Sequence, residues 1–363
     1  MQKTKKILQY IIIFITTLSV ILIGTGLLYI SYEKHQVRRA FAIDTVNGIE
    51  TLEPVVLGEV EQWISIRGTN TQNPVLLFLH GGPGGSALPN LRHFHRELEE
   101  HFTLVNWDQR GAGKSYSVRI PEDSFTIDQF VSDTHQLTLL LIERFETDKI
   151  YLMGHSWGTI IGMKAVYQRP ELYHAYFGTA QVVNPAKGEA ISYHYTLESA
   201  YADNNNKAVE ELRAAGAAPY EFDDTFWDKL LVQRKWLSYY GGNVHNNKNL
   251  FSDSLNLFAP EYSIIDFFNL KRGNQSSVYY LWDELLTVNL MEQVTEVEIP
   301  VYFITGRHDY IAPFELVEEY YHHLKAPSKE LIWFENSAHS PIFEEIELFQ
   351  QILVQKIRHE PEN

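Results

Sequence analysis

Short apolar runs recur along this chain at intervals that suit a parallel sheet. Residues 75–79 (VLLFL), 103–107, 150–153, 175–179, 300–304 and 330–334 are each four to five positions long, with little polar alternation. Runs of that kind fit strands covered on both faces. Helical stretches separate them: 89–101, a long one from Thr126 to about Glu146, one from Thr159 that Pro170 stops, one over 314–324, and a closing helix from Ile342. Thr126 with Gln129 three residues on predicts a capping box at the start of the long helix. From 75 to 180 the order is strand, helix, strand, helix, strand, helix, strand, which implies a parallel sheet with helices on both faces. Two earlier strand-like runs, 54–57 and 62–67, precede it, and the second alternates as a half-exposed strand does.

Two stretches depart from that alternation. Residues 7–32 contain no charged side chain. As a helix they would span about 39 Å, more than the roughly 30 Å of a bilayer's hydrocarbon core. A cleaved signal peptide would carry a shorter apolar core, and the Ala-x-Ala at Ala40–Ala42 lies beyond Lys34, Arg38 and Arg39. The run therefore reads as an uncleaved signal anchor. Lys3, Lys5 and Lys6 precede it and three cations follow it, so the free amino terminus tips the orientation toward amino terminus inside. Residues 181–286 have helical segments rich in Tyr, Trp and Asn and no buried-strand run; they are broken at Gly216–Pro219 and Gly241-Gly242. The expected division is a cytoplasmic tail 1–6, a transmembrane anchor 7–32, a linker 33–48, a core from 49–180 and 287–363, and a helical insertion 181–286. The protein would be a single-pass cell-membrane protein with its large domain outside the cytoplasm.

Composition narrows the partners. Lys and Arg number 30 against 46 Asp and Glu, a formal charge of −16. Nucleic acid is thereby disfavoured, since phosphate binding needs clustered cations; the acidic balance suits solubility first and a cationic or amine-bearing substrate second. There is no cysteine, hence no thiol nucleophile, disulfide or zinc–thiolate site. No carboxylate–histidine cluster has metal-ligand spacing. Gly111-Ala-Gly-Lys-Ser115 has the tail of a phosphate loop, but Asp108 stands where its first glycine belongs.

The chemistry gathers at strand ends. Gly154-His155-Ser156-Trp157-Gly158 lies between an apolar strand and a helix, the pattern of a nucleophile elbow. A serine hydroxyl needs a base, and the base needs an orienting carboxylate. Asp309 follows strand 300–304 and His339 follows strand 330–334, giving the chain order Ser, acid, His at the sheet edge where open parallel sheets bind ligands. Ser156 is thus the candidate nucleophile, His339 the general base and Asp309 its orienter. The remaining candidates fit worse: Glu335 ends the last strand at the surface, His101, His308, His322 and His323 end no strand the chemistry needs, and His155 packs under the turn. Oxyanion donors are expected from the backbone N–H of Trp157 and from the glycine loop His80–Gly85, where Gly82 is the candidate. The segment 108–111 (Asp-Gln-Arg-Gly) would shape the adjoining loop. A serine at 156 excludes the epoxide hydrolases and dehalogenases, which need Asp there.

His80-Gly-Gly-Pro-Gly84, Trp107-Asp-Gln-Arg-Gly-Ala-Gly-Lys-Ser115 and the elbow together resemble the α/β-hydrolase superfamily and, within it, the proline iminopeptidase (prolyl aminopeptidase) group. The resemblance covers about 75–180 and 300–345. It implies an α/β-hydrolase fold with a helical cap at 181–286, no metal or organic cofactor, and release of an amino-terminal residue from short peptides. The group commonly holds the substrate amine with cap glutamates, one in a Trp-x-x-Trp-Glu context. That motif is missing; the stretch Trp282-Asp-Glu284 is the nearest echo, and Glu198 is another cap acid. The first choice is an aminopeptidase on short peptides or amino-acid amides. A carboxylesterase on small acyl esters is the runner-up, and a non-catalytic binding protein on the same fold a third reading.

Overall fold

The computed structural model describes residues 2–246, 250 and 253–358. It begins with helix α1 (Gln2–Ala40), whose apolar part is exposed along its whole length. The helix continues past the apolar run to Ala40, so the first eight residues of the expected linker prolong it instead of breaking it. The segment 41–48 is irregular.

Eight strands follow in one sheet: β1 (Ile49–Leu57), β2 (Val60–Gly68), β3 (Val75–Leu79), β4 (Thr103–Asp108), β5 (Ile150–His155), β6 (Tyr173–Thr179), β7 (Val301–Gly306) and β8 (Lys329–Phe334). Their order is β1-β2-β4-β3-β5-β6-β7-β8. The β1–β2 hairpin and its junction with β4 are antiparallel; every other pairing is parallel. Five of the short apolar runs became largely buried strands for the reason expected: Val75–Leu79 is buried at every position, as only a doubly covered strand can be. The sixth, in β8 at the edge of the sheet, is only half-buried until Phe334.

Helices α2 (Leu88–Phe94), α3 (Ile127–Phe145) and α4 (Trp157–Gln168) connect the first parallel strands. The capping box at α3 forms by half. Thr126 accepts the Gln129 N–H, but the Gln129 side chain turns to Asp133 instead of back to the cap. Asp133 is fully buried against Arg110 and Gln62, and its carboxylate, an acceptor with Oδ1 still open to a further donor, draws the amide away. Between β6 and β7 lie α5 (Pro185–Ala202), α6 (Asn206–Ala215), α7 (Phe226–Tyr239), α8 (Asp253–Leu257), α9 (Ile264–Leu286) and α10 (Leu290–Gln293). They form a helical cap with its own apolar cluster around Tyr220, Phe226, Leu230, Val278 and Trp282. α11 (Phe314–His323), α12 (Pro341–Glu344) and α13 (Ile346–Arg358) complete the chain. The main core lies on both faces of the sheet, with Leu77, Leu79, Val105, Leu152 and Ile160 on one side and Phe78, Met153, Phe177 and Ile304 on the other.

Candidate active site

The turn between β5 and α4 is tight enough to dictate its own sequence. A Cβ on Gly154 would stand 2.6 Å from the Gly158 carbonyl, and one on Gly158 would collide with the backbone of Leu79 and His80. Ser156 sits at the apex with φ 52° and ψ −123°, a conformation side chains rarely adopt. Its N–H bonds the Thr179 carbonyl of β6, at 3.1 Å, which fixes the turn to the neighbouring strand. The hydroxyl therefore projects at the carboxyl edge of the sheet, just before the amino end of α4.

Ser156, His339 and Asp309 form one hydrogen-bonded row. His339 Nε2 lies 2.8 Å from Ser156 Oγ. His339 Nδ1 lies 3.0 Å from Asp309 Oδ2 and 3.1 Å from Oδ1. A carboxylate can only accept, so Nδ1 carries the proton and Nε2 is left to receive that of the serine. Asp309 has no exposed surface, and its Oδ1 also accepts the N–H groups of Ile311 and Ala312 at 2.9 Å. Glu344 ties the loop before His339 by accepting from Ala338 N–H at 2.9 Å and Ser340 N–H at 3.2 Å. Glu335 stands apart, exposed and paired with Arg307. His308 stacks on His245.

The glycine loop after β3 runs beside the serine. A Cβ on Gly81 would stand 3.1 Å from Ser156 Cβ, so only a bare backbone passes this close. Gly82 lines the same cavity as Ser156 and Trp157 and takes φ +145°. The Trp157 N–H belongs to the first turn of α4, where helix donors have no intrahelical partner. His155 donates to the His339 carbonyl, and burial pushes its pKa down to about 3. It is a neutral packing group, not a second base. His80 accepts from Gln109 N–H at 3.1 Å, and burial holds its pKa at about 4. Gln109 donates to His80 O and accepts from the Trp157 indole, while Arg110 grips Asp133. The segment 108–111 thus braces the turns on either side of the serine. Asp108 is wholly buried, and burial raises its pKa to about 7 against the opposing hydrogen bonds of Ser86, Lys114 N–H and Tyr262.

A cavity of about 530 Å³ opens over the serine. The cap supplies its apolar wall, with Trp227, Leu230, Val278, Trp282 and Leu285. It also supplies Glu189 from α5 and Arg234 from α7. Arg234 Nη2 pairs with Glu189 Oε1; Glu189 Oε2 is buried and has no hydrogen-bond partner among the described residues. Neither residue carries a signal in the sequence, since they lie on separate helices and meet only when the cap folds. Glu284 and Glu198 line no part of this cavity. Glu284 accepts the Ile127 N–H at the start of α3, and Glu198 is exposed. Trp282 does line it.

This constellation on an eight-stranded, mostly parallel sheet defines a class. The chain belongs to the α/β-hydrolase fold family, whose profile matches residues 74–346. Among its relatives is a protein of Bacillus subtilis (strain 168) named "Probable aminopeptidase YbaC", 37% identical over 313 residues, covering 86% of this chain and 97% of that protein. A proline iminopeptidase of Heyndrickxia coagulans is 27% identical over 293 residues, covering 77% of this chain and 88% of the other. The solved structure of a proline iminopeptidase-related protein from Thermus thermophilus superposes with a TM-score of 0.60 at 21% identity, over 86% of this chain and 98% of that one. The protein is an aminopeptidase-like α/β-hydrolase. Its α1 is one amino-terminal helix long and apolar enough to cross a membrane.

Proposed function

We propose that this chain is a membrane-anchored serine aminopeptidase that removes the first residue of short peptides or amino-acid amides. In this reading Ser156 Oγ attacks the scissile carbonyl while His339 Nε2 takes its proton. Asp309 holds the imidazole and stabilises its cation. The oxyanion forms against the backbone N–H groups of Gly82 and Trp157. His339 then protonates the leaving amine, and water, activated by the same imidazole, releases the acyl group from Ser156. Residues 7–32 anchor the chain, with the catalytic domain on the outer side.

The observation that carries the peptidase reading is Glu189. Among the described residues its Oε2 faces no donor, although it is buried in the wall of the cavity that holds Ser156. A buried acceptor without a partner costs about 1–3 kcal/mol, more when charged. An ammonium on the substrate supplies the missing donor, whereas an acyl ester supplies none. Arg234 engages the other oxygen, which leaves Oε2 to meet the substrate.

The full chain should turn over proline and alanine arylamides, and Ser156→Ala should abolish both that turnover and labelling by a fluorophosphonate. Cleavage of short acyl esters with no arylamide turnover would replace the peptidase reading with an esterase. A folded wild-type protein that neither labels nor turns over any of these substrates would favour a binding role.

A further inference from the structure

α9 presents two useful faces besides the one it packs with. Its buried side, at Gly273 and Ser277, presses on the loops of Gly84 and Gly111 so closely that a Cβ on Gly84 would stand 2.5 Å from the Gly273 carbonyl. The next face, at Asn274, Val278, Trp282 and Leu285, lines the active-site cavity. The outermost stripe, Ile265, Phe268, Arg272, Gln275 and Tyr279, follows the 3- and 4-residue steps of one helical face. It is exposed throughout: Ile265 is 68% exposed, Phe268 58% and Tyr279 59%. Two large apolar side chains one turn apart, followed by Lys271 and Arg272, make the pattern of a helix lying in a membrane–water interface.

The place of that stripe is set by α1. The uncharged run of α1 ends at Tyr32, and the turns around that end are docked on the cap. The Tyr29 ring meets Phe258 edge-on at 5.8 Å, and Lys34 donates to the Tyr262 carbonyl. Tyr29 and Lys34 are five residues apart, about 7.5 Å along the helix. That is close to the depth of one headgroup layer, roughly 5–7 Å. Ile265 follows Tyr262 by three residues, at most about 11 Å of chain. The charges agree with this placement. The acids at the start of α9 are already engaged, Asp266 by Lys114 at 3.2 Å and Glu261 by Arg92 at 2.5 Å. Arg38, Arg39, Lys271 and Arg272 are exposed; Glu33 is the one acid on the emerging turns of α1. On a chain of net charge −16, these four exposed cations lie on the two elements that meet where the uncharged run ends, Arg38 and Arg39 on α1 and Lys271 and Arg272 on α9.

We propose that the outer face of the first half of α9 lies in the headgroup layer of the bilayer that α1 crosses, with Ile265 and Phe268 inserted and Lys271 and Arg272 against acidic phospholipid. This rests on the reading of α1 as a membrane span. Because a neighbouring face of the same helix walls the cavity, the active site is then held facing the membrane surface, and its cap is steadied by lipid.

The chain has no cysteine, so single cysteines can be introduced without background. A fluorophore on Ile265→Cys, Phe268→Cys, Val20→Cys or Tyr167→Cys of the full chain, reconstituted in nanodiscs, would be challenged with lipids bearing a spin-label quencher near the headgroup or along the acyl chain. Tyr167 is exposed near the end of α4, which runs from the serine about 18 Å away from the cap edge. Headgroup-region quenching at 265 and 268 should exceed that at 167 by at least about threefold. It should increase further when neutral phosphatidylcholine discs are replaced by discs containing phosphatidylglycerol. Acyl-chain quenching at 20 with equal, low quenching at 265, 268 and 167 would overturn the cap contact and leave the anchor standing. Loss of quenching at 20 as well would overturn the anchor itself. Quenching at 265 and 268 that ignores lipid charge would remove the role given to Lys271 and Arg272.

Discussion

At Ser156 the backbone is held in a region that costs on the order of 1–3 kcal/mol for a residue with a side chain. The cost is met by the packing of β5 and α4, and its return is a hydroxyl presented to His339 Nε2. The alignment depends on Asp309, which fixes the imidazole tautomer. Asp309→Asn keeps the shape but offers Nδ1 a donor as readily as an acceptor. We expect a fall in kcat of about 10⁴-fold on arylamides with a circular dichroism spectrum unchanged from wild type. Asp108 gives a second test, of stability. Its folded pKa of about 7 lies above the ordinary value of a free aspartate, so the folded state binds the proton more tightly than the unfolded chain does. The stabilisation is complete in acid and is lost as pH rises toward 7. Asp108→Asn should remove that dependence. Between pH 4 and 8, denaturant titrations should show wild type losing stability relative to the variant, by on the order of 3–4 kcal/mol. A constant difference across that range would refute the raised pKa.

Among the elements, what the sequence made legible was local. The apolar runs predict β3 to β7 because a doubly covered strand has no room for polar alternation; β8 is as apolar but lies half-buried at the sheet edge. Ser156, Asp309 and His339 could be nominated because each follows a strand by a few residues, and a parallel sheet brings such ends to one edge. The elbow glycines declare themselves since any side chain there would strike the adjoining backbone. The cap was legible only as helices. The ion pair it sets over the serine, Glu189 with Arg234, joins positions 45 apart, and no spacing rule joins residues on α5 and α7. Gln129 departs from the expected capping box because that box is a local rule, and Asp133, buried against Arg110, competes for the same amide. The run of α1 beyond Tyr32 was hidden for a similar reason: polar residues 33–40 look like linker until residues 258–262 give them a surface to lie on. Glu189→Gln tests the element that sequence could not reach. It keeps the volume and removes the charge. KM for an arylamide with a free amine should rise about 10- to 100-fold, the worth of one hydrogen bond to a charged group. A short acyl ester or an amine-blocked arylamide should change little; an equal loss on all three substrates would mean that Glu189 only supports the cap.

Across the whole molecule, α1 is fastened to the catalytic body at its end. Arg67, mostly buried, donates to Phe41 O at 2.5 Å, and Arg96 donates to Ala40 O at 2.8 Å. The Phe41 ring lies under Arg92 at 4.9 Å and Arg96 at 5.6 Å. A protein beginning at Glu33 retains these contacts, and one beginning at Thr45 loses them all. The shorter protein should be less stable by roughly 1–3 kcal/mol, since Arg67 then keeps buried donors with one acceptor fewer. Melting curves of the two should show it, and coincident curves would make the junction an adhesion without energetic weight.

The two loops that carry Asp309 and His339 are each hydrogen-bonded to the cap. Tyr310 N–H donates to Gly242 O and His339 N–H to Asn243 O, both at 3.0 Å, and the Tyr310 ring stacks on Tyr195 of α5 at 3.6 Å. A roof joined in this way cannot swing clear without disturbing the residues beneath it. On the proposed reading, large substrates would have to displace it, and in doing so would part Asp309 and His339 from Ser156; loose chain ends and small amides would reach an intact row. An enzyme of the kind proposed, with its catalytic domain on the outer side, would stand among folded proteins with the architecture of its own doorway as its safeguard against indiscriminate digestion.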